Sequence, residues 1–470
     1  MDTTFFDSIG GKASLAEFAC HVHKFTFDGD ILLLDVNSGS VHILDEITSE
    51  IIDALKTCGD WEKAARSVSV RHDAALAASA MSEIQELIEE GLLFSPPLTV
   101  AKTLPPTWLK SVCLNISHDC DLRCGYCFAG TGAFGGERLN MPWEVAQAAV
   151  DMLLRESGPR PFCEMDFFGG EPLLNLDVVK QTVEYGRAAA AKAGKQIKFT
   201  LTTNANALTK EIIDWLNEEG LSVVLSHDGR PEVHDKMRRL ATGGGSYEPV
   251  NNNIRAMIQS RPNGNYYLRG TYTANNLDFA EDVLHWLSEG YRELSLEPVV
   301  TMRKVGWALN KEHLPALKEE YRKLARLLNE RRLVGQPFNF FHFNIDLEKG
   351  PCLPKRLWGC GAGYEYVAVT PAGELYPCHQ FVGQPEFLLG NVNDGIIRPD
   401  ISQRFKEAHI ESKPACRDCW ARYYCSGGCH ANAHAAHGDL HQPYELGCEL
   451  QKMRLECAVW LYARNMFNNS

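Results

Sequence analysis

The run SVCLNISHDCDLRCGYCFAG, Ser111–Gly130, passes from an apolar strand pattern straight into three cysteines, Cys120, Cys124 and Cys127. Their spacing is C-x3-C-x2-C. Three thiolates on one loop after a strand suit a four-iron, four-sulfur cluster with one iron left short of a protein donor, because thiolate is the donor such iron prefers. A catalytic zinc also keeps an open position. Zinc cysteines, however, usually come as C-x2-C pairs with a distant second pair, and none lies nearby. An open iron calls for a small molecule that chelates through an amine and a carboxylate.

Around this run the chain divides by pattern. Over 111–345, short apolar strands alternate with amphipathic helices: SVCLNIS, FCEMDFFGG, IKFTLTTNA, LSVVLSHDG, YYLRGTYTA and ELSLEPVV are the strands. That alternation predicts an α/β fold with a parallel sheet built from right-handed crossovers. Six strands are too few for a complete eight-fold barrel, which leaves a sheet that is open or curled into a partial (β/α)6 barrel. Chemistry collects at the ends of such strands, and the three cysteines follow the first one.

Residues 1–100 read as a separate module. Two apolar runs in HKFTFDGDILLLDVNSGSVHILDEI flank Asn37-Ser38-Gly39 as a β-hairpin, and helical patterns follow in TSEIIDALKTC and AALAASAMSEIQELIEE, with Gly91 as the stop. The prolines around 101–110 read as a linker. The remainder, 346–470, is dense in cysteine and punctuated by glycine, and YEYVAVTPAGELYPC predicts a hairpin turning at Pro371-Ala372-Gly373.

Composition narrows the function classes. The 470 residues carry 47 basic against 60 acidic side chains, a formal charge of −13, with no basic cluster dense enough to track a phosphate backbone. Nucleic acid is not an expected partner. No apolar run is long enough to span a membrane, and MDTTFFDSIGGK lacks the features of a secretion signal, so a cytoplasmic protein is expected. Sixteen cysteines in a reducing compartment read as metal ligands where they cluster. The isolated ones, Cys20, Cys58, Cys113, Cys163 and Cys457, read as buried small hydrophobes.

The C-x3-C-x2-C run, with aromatic Tyr126 before its last cysteine, resembles the signature of radical S-adenosylmethionine enzymes. FFGGEPLL, TTNA and SHDG at successive strand ends are similar to further motifs of that family. The resemblance implies that Cys120, Cys124 and Cys127 hold a 4Fe-4S cluster whose open iron takes the methionyl amine and carboxylate of S-adenosylmethionine. It further implies cofactor contacts from Tyr126, Gly169, Gly170, Glu171, Asn204, Ser226, Asp228 and Arg269. The glycines would let backbone approach the methionyl group, and Glu171 would accept from its ammonium.

Cys360-x12-Gly373-x4-Cys378, then Cys416-x2-Cys419-x5-Cys425-x3-Cys429, then Cys448, resembles the SPASM domain of peptide-modifying radical enzymes. The resemblance implies two auxiliary 4Fe-4S clusters, three clusters in all. Cys360, Cys378 and Cys429 would bind the first, and Cys416, Cys419, Cys425 and Cys448 the second. The first then has one vacancy, filled by Cys352 or by a substrate thiolate.

HKF, LLDVNSGSVHILDEI and GCGAGYEYVAVTPAGELYPCHQFVG are similar to maturases of SCIFF peptides, which are small cysteine-rich precursors. The implied function is installation of thioether bridges in a ribosomally made precursor peptide, with an electron donor such as flavodoxin or ferredoxin. The N-terminal module would be a winged-helix-like element that captures the leader by adding a strand to its sheet edge. Formylglycine formation on a sulfatase, carbon–carbon cross-linking, and a non-enzymatic iron-sulfur or zinc sensor remain as alternatives.

Overall fold

The computed structural model describes residues 21–97, 105, 108–262, 264–347 and 353–468. Cys20 and Cys352 lie outside them. The first element is a three-stranded antiparallel sheet of β1 (Val22–Phe27), β2 (Asp30–Asp35) and β3 (Val41–Leu44). The expected hairpin at Asn37-Ser38-Gly39 joins β2 to β3. A second hairpin, absent from the sequence expectation, joins β1 to β2 through Asp28 (φ 47°) and Gly29 (φ 87°). Two successive positive φ values match the twist of a tight hairpin, and Asp-Gly adopts them at little cost.

Three helices follow, Glu46–Cys58, Trp61–Ser69 and Ala74–Glu89. The middle one is also an addition to the sequence reading. Each begins behind an aspartate, Asp45, Asp60 or Asp73, whose carboxylate accepts backbone N–H groups of the first turn. Cys58, expected to be buried, is exposed near the end of the first helix, where Gly59 turns the chain away. Cys113, Cys163 and Cys457 are buried.

The main sheet has the strand order β10-β9-β8-β7-β6-β5-β4-β11-β12-β13-β14. Its heart is the expected parallel set: β4 (Ser111–Ser117), β5 (Phe162–Gly169), β6 (Gln196–Thr203), β7 (Ser222–Ser226), β8 (Tyr266–Tyr272) and β9 (Glu293–Pro298). Helices cover the outer face, packing on Val112, Leu114, Met165, Phe167, Leu201, Leu225, Leu268 and Leu296. Strand alternation sends Cys113, Asn115, Asp166, Phe168, Arg269 and Glu297 to the inner face.

Both edges are longer than the six-strand reading allows. β10 (Asn339–Phe340) pairs in parallel with β9. On the other side β11 (Tyr366–Val369) pairs in parallel with β4, and β12 (Glu374–Tyr376), β13 (Gly390–Asn391) and β14 (Gly395–Ile396) extend it antiparallel. The cysteine-dense C-terminal region is therefore grown onto the barrel's first strand. Among the described residues, no helix is long and apolar enough to cross a membrane.

The C-terminal helix Glu445–Asn468 ties the N-terminal sheet to the barrel. Trp460 stacks on Phe27 with ring centroids 4.3 Å apart, and its indole N–H donates to Asp30 at 2.9 Å. Arg454 of the same helix is buried against β9, donating to Tyr321 Oη at 2.9 Å and pairing with Glu297 at 3.3 Å. Trp460→Ala is expected to cost about 3–5 kcal/mol in denaturant unfolding. Hydrogen exchange should rise in β1 and β2 while β4–β6 stay protected.

Candidate functional site

The cysteine loop leaves the C-terminal end of β4 and is fastened on two sides. On one side the 237–241 segment holds it by backbone bonds: Arg123 N to Arg239 O at 2.7 Å, Gly125 N to Met237 O at 2.8 Å, and Ala241 N to Asp121 O at 2.8 Å. On the other side lie Gly169 and Gly170. Gly170 N donates to Ser117 O at 2.7 Å and Glu171 N to Asp119 O at 2.9 Å. A methyl on Gly170 would stand 2.1 Å from Asp119 O, and one on Gly169 would stand 2.5 Å from Ser117 O. The glycines thus admit the cysteine loop itself, a closer reason for their presence than cofactor approach.

Glu171 is 0 % exposed. Its carboxylate accepts Leu173 N at 3.0 Å, Thr203 Oγ1 at 2.8 Å and Asn204 N at 2.8 Å, which locks the ends of β5 and β6 together. Burial pushes its pKa up to about 7 against the pull of those donors. Asn204 in turn donates to Asp121 Oδ1 at 2.7 Å and lies 3.6 Å from Cys120 Sγ. Leu122 N also points at that sulfur, at 3.4 Å. N–H donors aimed at a cysteine sulfur stabilise it as a thiolate.

Tyr126 and Asp228 meet each other. The tyrosine hydroxyl donates to Asp228 Oδ2 at 2.5 Å, Thr271 N donates to Asp228 Oδ1 at 3.1 Å, and Arg238 donates to the tyrosine oxygen at 3.1 Å. Sequence reading missed Arg238, Asp121 and Asn206, whose amide donates to Asp121 Oδ2 at 2.7 Å. None carries a motif, and Arg238 reaches a tyrosine 112 residues away. Ser226 ends β7 in register with Arg269 of β8. The Arg269 charge acts on Glu297, which burial would raise but which His342, Arg454 and Arg269 hold at about 2.

The thiols fall into three groups by their action on one another. Burial pushes Cys120 up to about 12, and Cys124 adds to the rise. Burial likewise pushes Cys124 up to about 11, against the pull of Arg238, with Cys127 adding. Burial raises Cys378, and Cys429 and Cys360 raise it further. Cys416, Cys425 and Cys448 are each pushed to about 11 by burial, with Cys419 and other members of the same set contributing. The second and third groups are drawn from the thiols that the SPASM resemblance assigns to two auxiliary clusters.

Such thiols resist ionising together unless a cationic core sits among them, which is the environment an iron-sulfur cluster supplies. Among the described residues, no three His, Cys, Asp or Glu side chains converge tightly enough to hold a single ion. The fit to clusters rests on the grouping of the thiols and the donors around Cys120. Among the described residues, Asn115, fully buried at the inner face of β4, has neither amide atom hydrogen-bonded, and His118 Nε2 also finds no partner. Both leave polar capacity beside the cysteine loop for a bound molecule.

Three aromatic rings connect the first two thiol groups. Phe128, next to Cys127, is 52 % exposed, and its ring lies 5.4 Å from that of His379, the neighbour of Cys378. Phe168 of β5 contacts both, at 6.3 Å and 4.9 Å between centroids. The two loops nearly touch, since a methyl on Gly383 would stand 2.5 Å from Phe134 O.

Residues 114–283 match the Radical SAM superfamily, and residues 360–420 match SPASM, an iron-sulfur cluster-binding domain. The chain is 22% identical over 337 residues to the cysteine-type anaerobic sulfatase-maturating enzyme of Clostridium novyi, covering 67% of this chain and 86% of that one. Native anSMEcpe with bound AdoMet and Kp18Cys peptide superposes with a TM-score of 0.64 at 22% identity, covering 78% of this chain and 100% of the other. Streptococcus suis SuiB bound to S-adenosylmethionine superposes with a TM-score of 0.52 at 15% identity over 91% and 98%. The chain thus carries a radical SAM domain, which binds a 4Fe-4S cluster and S-adenosylmethionine, and a SPASM domain, which binds auxiliary iron-sulfur clusters.

Gly170→Ala forces its methyl into the Asp119 carbonyl, so about 3 kcal/mol of destabilisation is expected, with a lower iron content after anaerobic reconstitution. Gly306→Ala, where a methyl meets nothing within 4 Å, should change neither quantity. Equal iron contents in the two variants would contradict the packing described.

Proposed function

We propose that this radical SAM protein with a SPASM domain is a peptide maturase that installs thioether cross-links in a cysteine-rich, ribosomally made precursor. Cys120, Cys124 and Cys127 hold the S-adenosylmethionine-binding cluster. Cys360, Cys378 and Cys429 hold one auxiliary cluster, and Cys416, Cys419, Cys425 and Cys448 the other. When bound, S-adenosylmethionine and its cluster supply hydrogen-atom abstraction from an otherwise inert carbon.

The chain's own residues bring sulfur and carbon together. The observation that carries the reading is the aromatic bridge of Phe128, Phe168 and His379, which links the neighbour of Cys127 to the neighbour of Cys378. A peptide lying across that bridge has a side-chain carbon near the Cys127 loop and a cysteine near Cys378. Cys360 and Cys429 are exposed, so a substrate thiol has access to that set. At the mouth, Arg269 and the ionised Glu297 offer charges of both signs to the peptide backbone.

Among the described residues the N-terminal sheet has edge strands β1 and β3; Lys56 and Arg322 already occupy the outer carbonyls of Val22 and Thr26 in β1, which makes β3 the edge for an extended leader. The sheet's docking on the C-terminal helix fixes that leader relative to the barrel. The cytoplasmic setting and a flavodoxin- or ferredoxin-type donor belong to the same proposal, since the clusters need reduced thiols and a supply of electrons.

The relative that matures sulfatases makes formylglycine formation the second reading. Mass spectrometry separates the two. Anaerobic protein with S-adenosylmethionine, dithionite and a SCIFF-type peptide is expected to yield 5'-deoxyadenosine and a peptide lighter by two hydrogens per bridge, with each bridged cysteine protected from alkylation. A product that has lost sulfur would favour formylglycine chemistry, and an unchanged peptide would contradict thioether formation.

A further inference from the structure

A lysine with no exposed surface stands where the two SPASM thiol sets meet. Lys413 is 0 % exposed, and among the described residues its ammonium forms no ion pair with a carboxylate. It donates one hydrogen bond, to Gly427 O at 2.9 Å. Gly427 lies between Cys425 and Cys429, one cysteine from each set, and has φ +84°. A methyl there would stand 3.3 Å from the lysine Nζ. Burial lowers the Lys413 pKa below the usual lysine value, and four thiols pull against that: Cys416 and Cys425 from one set, Cys429 and Cys360 from the other.

A buried ammonium is costly unless negative charge lies close by. Here the available negative charge is sulfur from both sets at once. A four-iron core with thiolate ligands carries net negative charge, and adding an electron makes it more negative. A fixed cation beside it therefore favours the reduced state, since net charge and neighbouring donors set cluster potentials. Acting on the two sets together, a single ammonium moves both potentials in the same direction.

We propose that Lys413 is a positioning residue that serves as the shared counter-charge of the two auxiliary clusters and raises the reduction potential of both. The inference rests on the ligand sets proposed above. In the thioether reaction, a higher potential favours clusters that take up the electron left when sulfur bonds to a carbon radical.

The test is an EPR-monitored potentiometric titration of the anaerobically reconstituted full-length protein, with iron counted in parallel, for wild type, Lys413→Met and Lys413→Arg. Lys413→Met, close in size but uncharged, is expected to shift both auxiliary potentials downward at full iron content, or to shed iron from both sets. Lys413→Arg should keep the iron and potentials close to wild type. Unmoved potentials in Lys413→Met at full iron overturn the inference, as does a shift confined to one cluster. Equal iron loss in both variants also overturns it, because shape rather than charge would then matter. Wild-type protein with iron for only one cluster in the SPASM half would overturn the ligand assignment, and this inference with it.

Discussion

The parallel pairing of β11 with β4, from Tyr366 opposite Ser111 to Val369 opposite Leu114, is the constraint on which the rest of the molecule depends. β4 carries the cysteine loop at its end and is flanked by β5 on one side and β11 on the other, so every residue in it is buried. Its register is fixed because Val112, Leu114 and Ile116 must meet the outer helices while Cys113 and Asn115 face inward. A slip of one residue would turn the apolar set into the barrel. With β11 locked to that strand and β12 antiparallel to it, Cys378 stands level with the start of β4, and the ring of His379 beside it reaches Phe128, the neighbour of Cys127.

Buried charge is handled by local networks that also position the loops. Tyr126, Asp228 and Arg238 form one such network under Cys124, and Glu297, His342 and Arg454 form another on β9. Each member satisfies another in a setting where an unpaired polar group would be expensive. The C-terminal helix therefore fixes both the N-terminal sheet, through Trp460, and the inner wall of the barrel, through Arg454.

The elements most legible in the sequence are those whose information is local. Strand periodicity gave the six parallel strands, and short cysteine spacings marked the thiols proposed as cluster ligands. The Asp28-Gly29 hairpin and the helix behind Asp60 were equally local, yet their signals are brief and sit inside longer apolar patterns. The pairing of β11 with β4 spans about 250 residues, and no periodicity encodes it. Arg238 and Lys413 owe their significance to partners that only the fold supplies. Cys58 went astray because an isolated cysteine on a helix carries no sign of which face it occupies.

On the proposed ligand sets, one sheet holds the radical-site thiols and the SPASM thiols as separate iron-binding units. Iron and S-adenosylmethionine cleavage, measured together on the Cys120, Cys124 and Cys127 triple alanine variant after anaerobic reconstitution, test it most directly. The variant should retain about two thirds of roughly twelve irons and release no 5'-deoxyadenosine. Undiminished iron, or nucleoside release at the wild-type rate, would contradict it.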